Sequence, residues 1–153
     1  MYRKGVSALV INDQQEFLLV NLESFEERFF AIPGGGLDAG ESLESAVYRE
    51  LFEELSISRE SLELAGKSED SLQIKFKKIK LNRDGIEYIG SERYFFGFRF
   101  IGDKESILPK HGEVRSFKWV PYEELGKYLL FDGQLEETTN KIREIFPDRL
   151  FGK

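Results

Sequence analysis

Residues Gly34–Ile57 read GGGLDAGESLESAVYRELFEELSI, and the rest of the 153-residue chain is understood from this stretch outward. Three consecutive glycines lead through a short turn to Ser42, a residue type that caps helix N-termini well. A helix is predicted from about Leu43 to Leu55, with Arg49, Glu50, Glu53 and Glu54 in its second half. At 100° per residue, Glu50, Glu53 and Glu54 fall within an arc of about 100° on one helix face. Carboxylates placed that closely repel each other by a few tenths of a kcal/mol per pair, so a cation is expected to hold them. Leu51 and Leu55, with Tyr48 and Phe52 beside them, form a separate face that is expected to pack.

Working outward, Arg3–Ile11 and Glu16–Leu22 are near-continuous apolar runs joined by Asn12-Asp13-Gln14-Gln15, which predicts a hairpin of strands covered on both faces. Phe29–Ile32 is expected to be a third short strand ended by Pro33, with Gly34–Gly36 a loop. Further strands are predicted at Leu62–Lys67, at the alternating Leu72, Ile74 and Phe76, at Ile86–Ile89 after an Asn82–Gly85 turn, at Arg93–Ile101, and at Glu113–Val120. Leu135, Thr139, Ile142, Ile145 and Phe146 follow helical spacing, so an amphipathic helix is expected to cover the sheet. Strands with one early and one late helix imply an α/β class with a mixed sheet, organised as a single domain over residues 1–153.

Composition narrows the function. A formal charge of −6 argues against a protein that grips nucleic acid through its overall field. The absence of cysteine excludes disulfides, thiolate metal sites and cysteine nucleophiles. The apolar run Val6–Ile11 is too short to span a membrane, and a cytoplasmic location is the default expectation. Hard divalent cations such as Mg²⁺ or Mn²⁺ prefer carboxylate, carbonyl and water oxygens, which the Glu50, Glu53 and Glu54 face supplies. Glycines at 34–36 permit close backbone approach to a metal and a phosphate, where a Cβ would intrude. Arg49 is placed to orient a carboxylate through a charge-assisted bond.

Gly35, five residues, Glu41, seven residues, Arg49-Glu50-Leu51, one residue, Glu53-Glu54, one residue and Ser56-Ile57 together resemble the Nudix box. Phe30–Gly35 is similar to the lead-in of that family and Trp119–Leu125 to its downstream segment. The resemblance implies an α/β/α sandwich and Mg²⁺- or Mn²⁺-dependent hydrolysis of a pyrophosphate bond in a nucleoside diphosphate derivative. It makes Glu53 and Glu54 metal ligands, Glu50 a ligand or base, the Gly34 carbonyl a further ligand, and Arg49 the orienting residue. Glu113, six residues before Trp119, resembles a loop glutamate of RNA pyrophosphohydrolases and diadenosine tetraphosphate hydrolases that acts as extra ligand or base.

Tyr2-Arg3 and the box itself are also similar to the bacterial RNA pyrophosphohydrolase subgroup, which gives Arg3 a role at an RNA 5′ end. Gly35, Gly36, Lys75 and Lys77 are the other candidate substrate-binding residues, the lysines belonging to a basic run with Lys78, Lys80 and Arg83. The favoured substrates are thus 5′-triphosphate RNA ends or dinucleoside polyphosphates. Nucleotide sugars or nucleoside triphosphates are the alternative, and a non-catalytic nucleotide- or RNA-binding module is the rival of another class. A homodimer is one option for the assembly, which the sequence leaves open. The chain departs from the box at Ser56, where glycine is usual, and retaining a left-handed backbone there costs roughly 1 to 2 kcal/mol.

Overall fold

The computed structural model describes residues 1–81 and 85–147, the side chains of Phe76 and Lys77 excepted. Its strands are β1 (Tyr2–Ile11), β2 (Glu16–Leu22), β3 (Gly34–Gly36), β4 (Leu62–Lys67), β5 (Leu72–Leu81), β6 (Glu87–Phe100) and β7 (Val114–Pro121). The helices α1 (Leu43–Leu55) and α2 (Gln134–Ile145) are joined to them through loops and short 3₁₀ turns. All seven strands form one mixed sheet in which β4, β6, β1, β2 and β7 are consecutive neighbours, with β3 paired to β1 and β5 to β6. The β1–β6 pairing is parallel and the others are antiparallel.

The sheet is a sandwich filling. Alternating residues of β1 point to opposite faces, so Val6, Ala8 and Val10 pack with Ala46, Leu51 and Leu55 of α1 on one side. Leu9 and Ile11 pack with Phe17, Ile142, Ile145 and Phe146 on the other, beneath α2. This explains why the sequence runs of β1 and β2 are almost unbrokenly apolar. Among the described residues, no helix is long and apolar enough to cross a membrane.

The expected α/β/α layering and mixed sheet are present, and α1 begins at Ser42, whose hydroxyl accepts the Ser45 N–H at 3.1 Å. Several local expectations are corrected. Phe29–Ile32 is not a strand: only Ala31 forms an isolated bridge, to Val20, and Phe30 is buried under Tyr128 instead. The glycine segment is the strand, because its side-chain-free backbone can lie flat along β1. β1 and β2 meet only around Ile11 and Phe17, since β1 spends its length on β6 and β3. Apart from Ile86 and Ile101, the segments 86–89 and 93–101 belong to one continuous 14-residue strand, Glu87–Phe100. Phe52 is 60% exposed, not part of the packing face, and on α2 it is Thr138, Ile142 and Ile145 that are buried while Leu135 is exposed. The predicted turn at 82–84, with Arg83, lies outside the described residues.

Candidate active site

The last two turns of α1 run beside β3, and this pairing of a helix with a strand of glycines builds the site. A Cβ on Gly35 would lie 2.4 Å from the Glu50 carboxylate, so only glycine lets the helix approach this closely. Arg49 locks the approach. Its Nε and Nη2 donate to the Glu41 carboxylate at 2.7 and 2.9 Å, Nη2 also to the Gly36 carbonyl at 2.8 Å, and Nη1 to Glu50 and Glu53 at 3.0 and 3.2 Å. Arg49 thus bonds the carboxylates it was expected to orient, and Glu41, to which the sequence assigned no role, accepts two of its bonds. The Arg49 bond holds the Glu41 carboxyl below the usual carboxylate range.

Glu54 is only 7% exposed and accepts the Gly34 N–H at 3.2 Å. Burial, followed by the charge of Glu50, pushes its pKa up to about 8. Burial also raises Glu50, against the pull of Arg49. Burying carboxylates without full compensation is costly, which is the condition a cation relieves.

Glu50, Glu54, Gly34 and Glu113 line one cavity of about 310 Å³, closed by Leu22, Ser24 and Gly112. The loop carrying Glu113 is held in place by the Glu23 N–H on the Glu113 carbonyl at 2.9 Å and by the Gly112 N–H on the Glu23 carboxylate at 2.9 Å. The Glu113 carboxylate meets Lys110 at 3.4 Å. Glu53 is half exposed and turned to Arg49, outside the lining of this cavity. Among the described residues, no three acidic or histidine side chains already converge as a ligand set, and Glu50 and Glu53 both accept from Arg49. The donor chemistry nonetheless fits a hard divalent cation: carboxylate and backbone oxygens, one carboxyl buried and carrying an elevated pKa.

Two further cavities adjoin. One of about 270 Å³ shares Gly34 and Glu54 with the first, is mostly apolar through residues such as Phe25, Ile32 and Phe95, and ends at Gln134, Glu137 and Thr138 of α2. The other, also about 270 Å³, brings together Arg3, Gly35 and Gly36 with Lys4, Ser91 and Arg93. Lys75 is exposed on β5 and lines none of the three, and β5 is irregular between Lys75 and Lys80. The side chain of Lys77 is outside the described residues. Arg93 was not singled out by the sequence; the register that sets it opposite Gly5 is a non-local parallel pairing.

The chain thus presents a mixed sheet between two helices, with a helical carboxylate row turned onto a glycine strand. The NUDIX domain model matches residues 1–147, and the chain belongs to the Nudix family of hydrolases acting on pyrophosphate bonds. It is 32% identical over 152 residues to the RNA pyrophosphohydrolase of Pelagibacter ubique, covering 94% of this chain and 92% of that one. The RNA pyrophosphohydrolase of Shigella boydii is 30% identical, over 79% of this chain and 70% of its own length. In fold, the chain is similar to a C. elegans Ap4A hydrolase, with TM-score 0.72 and 18% identity over 96% of this chain and 99% of the other. It is equally similar to the E. coli dihydroneopterin triphosphate pyrophosphohydrolase, with TM-score 0.72 and 15% identity over 97% and 99% of the two chains.

Proposed function

We propose that this Nudix hydrolase is a cytoplasmic, Mg²⁺- or Mn²⁺-dependent pyrophosphohydrolase of nucleoside polyphosphates, acting on 5′-triphosphate RNA ends or dinucleoside polyphosphates. The observation that carries the reading is the buried Glu54 carboxyl, poised beside Glu50 and Gly34 in the cavity that Glu113 closes. Similarity to RNA pyrophosphohydrolases supports the substrate class.

Glu50, Glu53, Glu54, Glu113 and the Gly34 carbonyl are the residues that would hold the cation. When bound, such a metal neutralises phosphate oxygens and lowers the pKa of a coordinated water. The chain's own contribution is positional. Arg49 fixes Glu50 and Glu53 against β3 and, through the Gly36 carbonyl, fixes β3 itself. Glu50 and Glu113 flank the cavity from α1 and from the loop before β7, and either can take the proton of an attacking water. The glycines leave backbone in contact with the phosphates where side chains would block them.

Glu54→Gln tests the assignment. It keeps the shape and the Gly34 contact but removes the charge, and turnover with Mg²⁺ is expected to fall at least ~100-fold while the far-UV spectrum is unchanged. Undiminished turnover would remove Glu54 from the machinery. A panel of triphosphorylated RNA, diadenosine polyphosphates, nucleoside triphosphates and nucleotide sugars, compared by kcat/KM, checks the substrate class.

A further inference from the structure

We infer that the β2–β7 edge of the sheet carries a second binding surface, a basic groove around Lys118, Lys127 and Tyr128 that holds the nucleotides of an RNA strand beyond its 5′ end. The inference rests on the hydrolase reading above and adds to it a contact that a mononucleotide or dinucleotide does not reach.

Among the described residues β7 pairs only with β2, and it ends the row of neighbouring strands. Against it lies a cavity of about 400 Å³ whose lining gathers four cations, Arg28, Arg115, Lys118 and Lys127, with Glu27 as its one acid. In a chain of net charge −6, such a surplus of positive charge runs against the overall field. The same cavity is lined by the rings of Phe30 and Tyr128, edge to face with centroids 5.3 Å apart. Lys118 Nζ stands 5.6 Å from the Tyr128 ring centroid.

The four cations are engaged differently. Arg115 is a brace: its Nη1 donates to Asn21 Oδ1 at 2.5 Å and to the Phe25 carbonyl at 3.1 Å, and its Nη2 to the Glu23 carbonyl at 3.2 Å. Asn21, buried beside it, donates through Nδ2 to the Glu26 and Phe29 carbonyls at 2.9 and 2.7 Å. The loop after β2 is thereby stitched to the sheet. Lys118, in contrast, makes no hydrogen bond or ion pair among the described residues. Lys127 meets Glu124 at 3.0 Å and Arg28 meets Glu26 at 3.8 Å, exposed pairs that are worth little and that a phosphate readily displaces.

That stitched loop is the wall between the groove and the carboxylates. Leu22 and Ser24 line the cavity of Glu50 and Glu54, whereas Glu27 and Arg28 line the basic groove. A strand whose 5′ phosphates lie with the α1 carboxylates has this one loop to cross before it meets Lys118 and Lys127. Ammonium groups on a phosphate backbone, with an aromatic ring to take a base, are how proteins hold single-stranded nucleic acid without reading its sequence. The cations come from three separate segments, the loop after β2, β7 itself and the 3₁₀ turn that follows it, an arrangement suited to successive phosphates.

The test uses the full chain and a single-stranded RNA octamer with a 5′-hydroxyl, which offers the carboxylate site no pyrophosphate bond. Fluorescence anisotropy without Mg²⁺ is expected to show binding that weakens with salt, with a log–log slope of about 0.7 per phosphate contacted. Lys118→Gln/Lys127→Gln is expected to lose ~10-fold in affinity and ~1.4 in that slope, and Lys118→Arg/Lys127→Arg to retain both. Both lysines are exposed, so neither substitution disturbs the core. In Mg²⁺-dependent turnover, wild type is expected to favour a 5′-triphosphorylated octamer over the triphosphorylated dinucleotide by ~10-fold in kcat/KM, and the glutamine double variant to lose that preference. No octamer binding by wild type, binding unchanged in the glutamine double variant, or displacement of the octamer by AMP at matched nucleotide concentration overturns the groove. Turnover that is intact but indifferent to RNA length also overturns it and leaves the hydrolase reading standing. Octamer binding that depends on the two lysines, without any Mg²⁺-dependent hydrolysis, overturns the hydrolase reading alone.

Discussion

Glu54 shows how much a single residue can report. Its pKa of about 8, raised first by burial and then by Glu50, stands well above the 4.5 of an unconstrained glutamate. Between those two values the metal-free folded chain holds a proton that the unfolded chain has released, so the folded state binds more protons and stability falls as pH rises. The loss begins near the unfolded value and is complete above about 8. With roughly 1.4 kcal/mol per pKa unit as the scale, the loss amounts to a few kcal/mol. Burial raises Glu50 as well, so the two act in the same direction. Denaturant unfolding of metal-free protein is therefore expected to give lower stability at pH 8 than at pH 5, and Glu54→Gln is expected to flatten most of that slope. A stability that rises across this interval in wild type would mean that Glu54 is already ionised and paired.

At the scale of elements, α1 was legible because its signals are local. Ser42 caps it, its apolar and acidic faces repeat at helical spacing, and the observed bounds match the expected ones. Its far end carries a prediction. Ser56 takes φ 57° and ψ 28°, the left-handed cap, and its exposed side chain contributes no packing there. Ser56→Gly removes the Cβ conflict, worth roughly 1 to 2 kcal/mol, against about 0.5 to 1 kcal/mol of added freedom in the unfolded chain. A net gain of up to about 1.5 kcal/mol is expected in chemical denaturation, without change in activity. The glycine segment was illegible for the opposite reason. Three glycines carry no periodicity, and their strand character is conferred by β1, some 30 residues earlier in the chain. Phe29–Ile32 has strand-forming residues but pairs only through the single Ala31–Val20 bridge. Arg93 escaped notice likewise: Arg49 sits within four residues of its partners Glu50 and Glu53, whereas Arg93 acquires Gly5 and Arg3 through a parallel pairing that no local pattern encodes.

For the whole molecule, the candidate ligands come from places that only the complete fold brings together. Gly34 belongs to β3, Glu50 and Glu54 to α1, and Glu113 to the loop before β7, at the far edge of the sheet. The Glu113 loop is tied to Glu23 through Gly112 and Glu113, and α1 is tied to β3 through Arg49, so the two halves of the site are braced independently. An unfolded chain has no such arrangement, and its glutamates bind divalent cations weakly. Metal binding is then linked almost entirely to the folded state, and stability grows as RT ln(1 + [L]/Kd). Above the dissociation constant, each tenfold increase in free Mg²⁺ adds about 1.4 kcal/mol, which for a chain of this size corresponds to roughly 3 to 5 °C in Tm. Thermal unfolding of metal-stripped protein across a Mg²⁺ series is expected to show that logarithmic rise. K⁺ at matched ionic strength is expected to leave Tm unchanged, which separates ligation from screening of the net negative charge. Glu54→Gln is expected to lose most of the response while starting from a metal-free Tm at neutral pH no lower than wild type, because the free-energy cost of protonating Glu54 on folding is gone. A Tm indifferent to Mg²⁺ in wild type would sever the carboxylate row from metal binding, whatever the activity.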